Sequence, residues 1–253
     1  MPAPRHLNLS AIRSSLTEVQ RHFSRLNDCL VEPRDPFSDE VLENILEAYA
    51  LIDDYVTRGI DLFDLQHVDL MLEINATVLC GCDPVARLEF AGHLEATEKH
   101  FFNNEEGGIK DLFDWYGKHR DESPWKRAAG VYVRILSKPQ LFIEGNHRSG
   151  SIIASYLLLR EGLSPFVLTV DNAEAFFNPS SVIRNSAKHG VVALFELPKI
   201  KKKYAAFLEE QSRRSRGMFL IENRRAVLVD VSPAERARID PNAGAPASGH
   251  SKP

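Results

Sequence analysis

One short segment, Phe142 to Gly150, combines the residue types that phosphate binding requires; it reads Phe-Ile-Glu-Gly-Asn-His-Arg-Ser-Gly. Gly145 permits a tight turn with positive φ, and an apolar series with helical spacing follows the turn. The backbone N–H groups that open a helix point outward with partial positive charge, so they form a nest for an anion. The segment therefore predicts a phosphate site at the amino terminus of a helix.

Four side chains in the same segment could add to this site. Glu144 offers a hard carboxylate oxygen for Mg²⁺, Asn146 an amide that can hold a phosphoryl oxygen, and Arg148 a cation. His147 is interpreted as an imidazolium that binds phosphate, as a relocated base, or as a first-turn residue that points to a hydrogen-bond partner or to solvent. The set favours a metal–nucleotide site. The alternative is a structural role in which Glu144 and Asn146 cap the helix and Arg148 is solvated.

The sequence from Ala128 to Val167 resembles the core of the Fic/Doc (Fido) family. In that family a helix leads into the motif His-x-Phe-x-(Asp/Glu)-Gly-Asn-(Gly/Lys)-Arg-x-x-Arg, and the motif opens the next helix. Here an apolar helical pattern precedes Phe142, and another runs from Ile152 to Leu159. The resemblance implies a mainly α fold, a Fic-like helical bundle with short β-hairpin elements.

The resemblance also implies roles for individual residues. Glu144 is similar to the family's metal-binding acid, and Arg148 to the arginine that holds nucleotide phosphates. The other matches are the aromatic beneath the loop, the anion-hole pair and the end of the cofactor-binding segment: Phe142, Gly145, Asn146, Ser149 and Gly150. The implied cofactor is ATP or another nucleoside triphosphate with Mg²⁺. The implied reaction transfers AMP or a phosphoryl group to a Ser, Thr or Tyr hydroxyl of a target protein.

The chain departs from the motif where the family places its catalytic base. Ungapped spacing puts Gln140 at the catalytic histidine, and a neutral amide cannot take a proton near pH 7. With a two-residue insertion, Lys138-Pro139 would replace the usual His-Pro, and Ser151 stands at the second motif arginine. Two functions stay open. One is a transferase with non-standard catalysis, and the other is a catalytically inactive Fic-like protein that regulates by binding a ligand or a partner protein.

The elements that must position this segment are predicted from apolar spacing. Helices are predicted from Ser38 to Val56, over Leu62 to Val78, over Ile109 to Tyr116, from Pro124 to a stop near Pro139, over Ser151 to Arg160, Ser181 to His189 and Leu197 to Gln211. Other segments are predicted as non-helical: a loop or short hairpin of lid type from Asp83 to Gly108, a short strand over Pro165 to Val170, and a hairpin of Met218 to Ile221 with Ala226 to Val231.

Composition and charge bound the function class. The chain has 253 residues, 43% of them hydrophobic, which suits one helical domain over 1–231 with a core of about 38–211 and the motif at 140–151. Residues 232–253 are rich in Pro, Ala, Gly and Ser and are predicted to be disordered. The net charge of −4 disfavours nucleic acid as a partner. The absence of a signal-peptide or membrane-span pattern predicts a cytoplasmic protein that engages no membrane.

Overall fold

Helices make up most of the structure, a computed structural model that describes residues 6–103, 107–215 and 217–221. The α-helices of this part are α1 (Leu9–Asp28), α2 (Asp39–Thr57), α3 (Asp69–Cys80), α4 (Pro84–Glu89), α5 (Ala91–Phe101), α6 (Ile109–Lys118), α7 (Pro124–Leu136), α8 (Asn146–Arg160), α9 (Ala173–Asn185) and α10 (Val191–Arg214). Two short strands, β1 (His6–Leu7) and β2 (Leu220–Ile221), pair antiparallel, with His6 opposite Ile221. The predicted mainly α fold class is confirmed.

Local sequence explains the helix boundaries nearest the site. The Ser38 side chain accepts a hydrogen bond from the Val41 amide at the start of α2, and Asp39 and Glu40 place negative charge on the first turn. Pro124 occupies the first turn of α7, where its missing N–H costs nothing. These signals act within one turn, which is why the sequence alone locates α2 and α7.

Helix α8 lies at the centre of the bundle. It packs against α2, α3 and α7, and α10 covers the other side of α7. From Ile152 to Leu159 its side chains are buried nearly all round, as expected of a central helix. Gly150 lets α7 approach closely, because a Cβ there would lie 3.1 Å from Cδ2 of Tyr132. The amino terminus of α8 is therefore held rigidly by its neighbours.

The predicted loop between Asp83 and Gly108 is wrong, since α4 and α5 occupy most of this segment. The Asp83 carboxylate accepts hydrogen bonds from the Val85 and Ala86 amides, and Pro84 begins α4 instead of breaking a helix. Burial of Thr97 and Phe101 along one face then fixes α5 against the core. Tertiary packing thus stabilises a helix where the local apolar pattern is weak.

The other two non-helical predictions have different outcomes. Pro165 to Val170 forms no strand in the described structure; the Phe166 carbonyl instead accepts from the hydroxyls of Tyr49 and Ser155. Leu220–Ile221 pairs with the amino-terminal strand β1, and the predicted partner Ala226 to Val231 lies outside the described residues, as does 232–253. None of the described helices has the length and apolar character of a membrane span.

Candidate functional site

Gly145 forms the turn that opens α8. Its φ of +74° lies in the left-handed region, which glycine adopts without strain. A Cβ at this position would also lie 2.9 Å from Nδ2 of Asn75. No side chain of the described residues caps the helix, so its first-turn amides face outward as an anion nest requires.

Asn75 of α3 fixes the loop from behind. Its buried side-chain amide donates to the Glu144 carbonyl and to Ser149 Oγ, both at 2.9 Å. Ser149 is buried, and Gly150 faces Tyr132, so the structure places both residues behind the wall of the cavity described below. Their contacts indicate packing and loop support for this end of the predicted cofactor-binding segment.

Asn146 holds the motif loop closed. Its Oδ1 accepts from the Phe142 amide at 2.9 Å, and its Nδ2 donates to the Phe142 carbonyl at 2.7 Å. Phe142 itself is buried and stacks on Phe101, with ring centroids 5.6 Å apart. Asn146 therefore shapes the loop through both ends of its side-chain amide.

Gln140 lies on the cavity wall with its amide engaged. Its Nε2 donates to the Leu136 carbonyl at 3.0 Å, and its Oε1 is 3.5 Å from Nδ2 of Asn146. His100 of α5 donates from Nε2 to the Gln140 backbone carbonyl at 2.9 Å. A neutral amide in these contacts offers no proton acceptor for a general base.

His147 belongs to a chain of hydrogen bonds that settles its tautomer. Ser180 donates to the Phe176 carbonyl, so the Tyr132 hydroxyl donates to Ser180 Oγ at 2.7 Å and accepts from Nδ1 of His147 at 3.3 Å. Nε2 of His147 then accepts from Nη1 of Arg34 at 3.2 Å. Both ring nitrogens are thus in use, which favours a positioning role.

Electrostatics keep His147 neutral. Burial, together with the positive charges of Arg34, Arg184 and Arg148, lowers the pKa of His147 to about 3. The imidazolium that could bind phosphate directly is therefore disfavoured at pH 7. A neutral imidazole instead orients the Arg34 guanidinium.

Arg148 and Arg34 supply the positive charge of the site. Arg148 donates from Nη1 to the Val78 carbonyl at 2.6 Å, and burial lowers its pKa. Arg34, in the loop after α1, donates from Nη2 to the Phe177 carbonyl at 3.2 Å and lies 5.4 Å from the Phe177 ring centroid. Within the described residues, neither arginine has a carboxylate oxygen within ion-pair distance.

Arg34 was not predicted from the sequence. It lies 113 residues from His147 along the chain, and nothing in its local sequence marks it as a ligand. Arg184 of α9, also at this end, is paired with Glu32 at 2.8 Å. A basic residue between two prolines, Pro33-Arg-Asp-Pro36, is the one local signal of a fixed loop.

The cavity beside the motif loop has a volume of about 450 Å³, which is within the range of small-molecule sites. The polar lining residues, together called the polar end, are Arg34, Asp35, Gln140, Glu144, Gly145, Asn146, His147, Arg148, Ser151 and Arg184. The apolar and largely aromatic lining residues, together called the aromatic end, are Leu16, Phe23, Phe37, Val41, Ile45, Tyr49, Ile152, Phe166, Leu168, Phe176 and Phe177. The cavity lining thus combines groups that can hold an anion with an aromatic surface.

Glu144 stands at the polar end with its side chain 63% exposed. Its carboxylate makes no hydrogen bond to any described residue, and its Oε2 lies 4.0 Å from Nε2 of His93. An exposed carboxylate of this kind is a suitable hard ligand for Mg²⁺ beside a phosphate. Groups of three or more His, Cys, Asp or Glu able to hold a metal are absent from the described ranges.

Comparisons with known proteins were made against families, curated proteins and solved structures. No protein-family model matches the chain, and no curated protein matches it significantly. Among solved structures it is similar to Fic-1 from C. elegans (amino acids 134–508), with 16% sequence identity and a TM-score of 0.45 over 83% of this chain and 70% of that chain. A likeness at this level identifies neither family nor function by itself.

Proposed function

We propose that this chain is a Fic-like protein that binds a nucleotide or another phosphorylated small molecule at the amino terminus of α8. The observation that carries the proposal is the convergence of Arg34 and Arg148, both without a carboxylate partner in the described residues, on one cavity. A ligand phosphate would provide the missing negative charge. Guanidinium groups and outward-facing helix amides are the donors that phosphate sites use.

The cost of burying charge supports this argument. Each half-buried guanidinium lowers the stability of the ligand-free fold, and burial lowers the pKa of both. Asp35 and Glu144 line the same cavity but stand outside ion-pair distance of either arginine. A dianionic phosphate ester would offset the positive charge that the two arginines bring to this cavity.

The aromatic end of the cavity suits the remainder of such a ligand. Phe177 lies beside Arg34 and contacts Phe176, and Phe166 stacks on Phe176 with centroids 4.7 Å apart. Stacking on an aromatic face contributes about 1–3 kcal/mol per base in nucleic-acid complexes. A nucleoside monophosphate or larger nucleotide therefore matches both ends of the cavity.

The motif geometry supports a Fic-like relationship. Phe142 packs under the loop, Gly145 forms the left-handed turn, and Arg148 reaches the cavity from the first turn of α8. These positions correspond to the roles implied by the resemblance at the sequence level. The relationship rests on this local arrangement.

Binding is tested by titrating ATP, AMP and inorganic pyrophosphate into the full chain by calorimetry, with a chelator present to exclude metal. We expect Arg148→Met and Arg34→Met each to weaken binding about 10- to 100-fold, because a hydrogen bond to a charged group contributes about 1.5–3 kcal/mol. Arg58→Met is the matched control, since Arg58 is an exposed arginine paired with Asp54. Its affinity should equal that of the wild type.

Thermal unfolding provides a second measurement of the same binding, since a ligand specific to the folded state raises Tm by mass action. Absence of binding and of any Tm shift in the wild type would refute the proposal. An equal Tm shift in wild type and Arg148→Met would refute the assigned position. A selective response to nucleotides over pyrophosphate would support a role for the aromatic end.

A transfer reaction is the second candidate function, and the exposed Glu144 carboxylate at the cavity favours it. A cation held there would neutralise phosphate charge when bound. We expect incubation with labelled ATP and candidate proteins to give label transfer that Glu144→Gln abolishes. Without transfer, the chain is a binding protein, and Gln140→His then tests whether restoring an imidazole at this motif position creates transferase activity.

A further inference from the structure

His93 of α5 presents an orphaned ring nitrogen beside the motif loop. Its Nε2 is buried and has no hydrogen-bond partner among the described residues, although the side chain as a whole is 30% exposed. The nearest acidic oxygen is Oε2 of Glu144, at 4.0 Å. A buried polar atom without a hydrogen-bond partner lowers the stability of a fold. The unpaired Nε2 of His93 next to the Glu144 carboxylate therefore indicates that a further group binds between them.

We propose that His93 and Glu144 together bind one divalent transition-metal ion at the mouth of the cavity. The assignment rests on the proposed function in one respect, because phosphate oxygens of the ligand and water would complete the coordination. Imidazole suits borderline ions such as Zn²⁺ and Co²⁺, whereas carboxylate with water suits Mg²⁺. The mixed pair therefore prefers a borderline ion over Mg²⁺.

The separation of the two atoms is close to that of two donors on one ion. With ligand distances of about 2.0–2.2 Å, donors at the tetrahedral angle lie about 3.3–3.6 Å apart. The observed 4.0 Å between Nε2 and Oε2 is longer than this, so the exposed Glu144 side chain would move by about 0.5 Å to bind the ion. A direct hydrogen bond between the same atoms would require them to approach by about 1 Å.

His93 and Glu144 are placed so that an ion could bind both without a rearrangement of the backbone. His93 lies in the first turn of α5, which is anchored by buried Phe101, and Glu144 directly precedes the Gly145 turn. The Glu144 backbone is fixed by Asn75 while its side chain stays free to move. The carboxylate can therefore adjust to a cation beside the His93 imidazole.

The test is a calorimetric titration of Co²⁺, and separately of Mg²⁺, into the metal-free full chain without nucleotide. We expect Co²⁺ to bind more tightly than Mg²⁺. His93→Gln should weaken Co²⁺ binding about tenfold or more, with Mg²⁺ binding changed little. Glu144→Gln, an exposed position that the fold tolerates, should weaken the binding of both ions.

The matched control is His22→Gln. His22 also has a glutamate nearby, with Nδ1 3.7 Å from Oε2 of Glu18, but both side chains are about half exposed and the ring nitrogen already contacts the Glu18 carbonyl. Loss of this surface histidine should leave Co²⁺ affinity unchanged. Circular dichroism of each variant confirms that the helices are intact.

Three outcomes would overturn the metal site. These are no Co²⁺ binding by the wild type, equal Co²⁺ affinity in wild type and His93→Gln, and no preference for Co²⁺ over Mg²⁺. Each of these results would contradict a shared transition-metal ion at His93 and Glu144. Nucleotide titrations with chelator present report the phosphate site separately, so failure of one proposal does not imply failure of the other.

Discussion

Two polar clusters in this protein carry buried positive charge, and they differ in how that charge is balanced. The pocket cluster consists of Arg34, His147 and Arg148 and lines the cavity. The clamp cluster consists of Asp111, Arg134 and Lys188 and ties α6 and α7 to the segment after α9. Both clusters contain two basic side chains next to the motif region.

The clamp cluster contains a carboxylate in ion-pair contact with one of its two cations. Arg134 pairs with Asp111 at 3.2 Å, and Lys188, only 4% exposed, donates from Nζ to the Gly107 carbonyl at 3.0 Å. The backbone of the segment is also paired, since Lys138 N donates to the Ser186 carbonyl and Lys188 N to the Lys138 carbonyl. This cluster holds the chain that leads into the motif loop.

In the pocket cluster the corresponding carboxylate is missing at ion-pair distance from Arg34 and Arg148 in the described residues, and a cavity takes its place. Under the proposed function, this difference would separate a structural use of buried charge in the clamp cluster from ligand binding in the pocket cluster. Buried charge balanced by protein groups contributes to one fixed arrangement, whereas unbalanced charge beside a cavity selects an anion. Cations of the two clusters should therefore respond differently to substitution.

The largest effect is expected for Lys188→Met. Burial, opposed by Asp111 and assisted by Arg134, lowers the pKa of Lys188 to about 8. Between pH 8 and 10.5 the unfolded chain holds a proton that the folded chain releases, so the free energy of unfolding rises with pH in this window. The rise relative to Lys188→Met is about 3 kcal/mol.

Urea denaturation at several pH values measures this difference, with Lys110→Met as the control for an exposed lysine paired with Asp114. Nucleotide affinity at pH 8 should be the same in Lys188→Met and wild type. A large loss of nucleotide affinity in Lys188→Met would contradict the distinction between the two clusters, because it would show that the clamp cluster takes part in ligand binding.

A smaller effect, with the opposite pH window, is expected for His147→Gln. The folded protein keeps His147 neutral to about pH 3, whereas the unfolded chain protonates it below its ordinary pKa of about 6.5. The free energy of unfolding therefore falls as the pH falls, by about 2 kcal/mol between pH 6.5 and 5. His147→Gln should lose this dependence.

This pH dependence is measured by urea denaturation in the acid range. The proteins compared are the wild type, His147→Gln and the surface variant His22→Gln. Parallel stability curves for wild type and His147→Gln would show that His147 is not held neutral by burial and the three arginines. That result would favour the interpretation of His147 as an imidazolium that binds phosphate. It would also weaken the distinction between the pocket cluster and the clamp cluster.

The sequence predicts the parts of this site that are encoded locally. The Gly145 turn, the helix after it and the Pro124 start of α7 follow from spacing and capping within one or two turns. Arg34 and Asn75 could not be predicted, because tertiary packing of α1, α3 and α8 brings them to the motif. Their local sequence carries no periodic signal for this contact.

The same physical reason explains the error at Asp83 to Gly108. Pro84 and Gly92 weaken the apolar pattern, yet an aspartate cap and burial of Phe101 stabilise two helices. The lid-type loop predicted for this segment includes His93 and His100, and a loop prediction places neither side chain at the motif. In the structure α5 brings His93 to Glu144 and His100 to the Gln140 carbonyl.

The smallest effect is expected for the hydroxyl that contacts His147 in the pocket cluster. Tyr132→Phe removes the hydroxyl between His147 and Ser180, at a cost of about 1 kcal/mol in unfolding free energy. It also frees the His147 ring that orients Arg34, so nucleotide affinity should fall a few-fold. Calorimetry and urea denaturation of the same variant measure both quantities.

Tyr156→Phe is the matched control, since its hydroxyl donates to the Ile60 carbonyl and accepts from the Leu62 amide on the far side of α8. It should cost a similar free energy of unfolding and leave nucleotide affinity unchanged. Equal affinity in Tyr132→Phe and wild type would show that Arg34 keeps its position through Phe177 and Ser181 alone. A selective loss in Tyr132→Phe would instead show that α7 and α9 orient the pocket's cation through one neutral histidine.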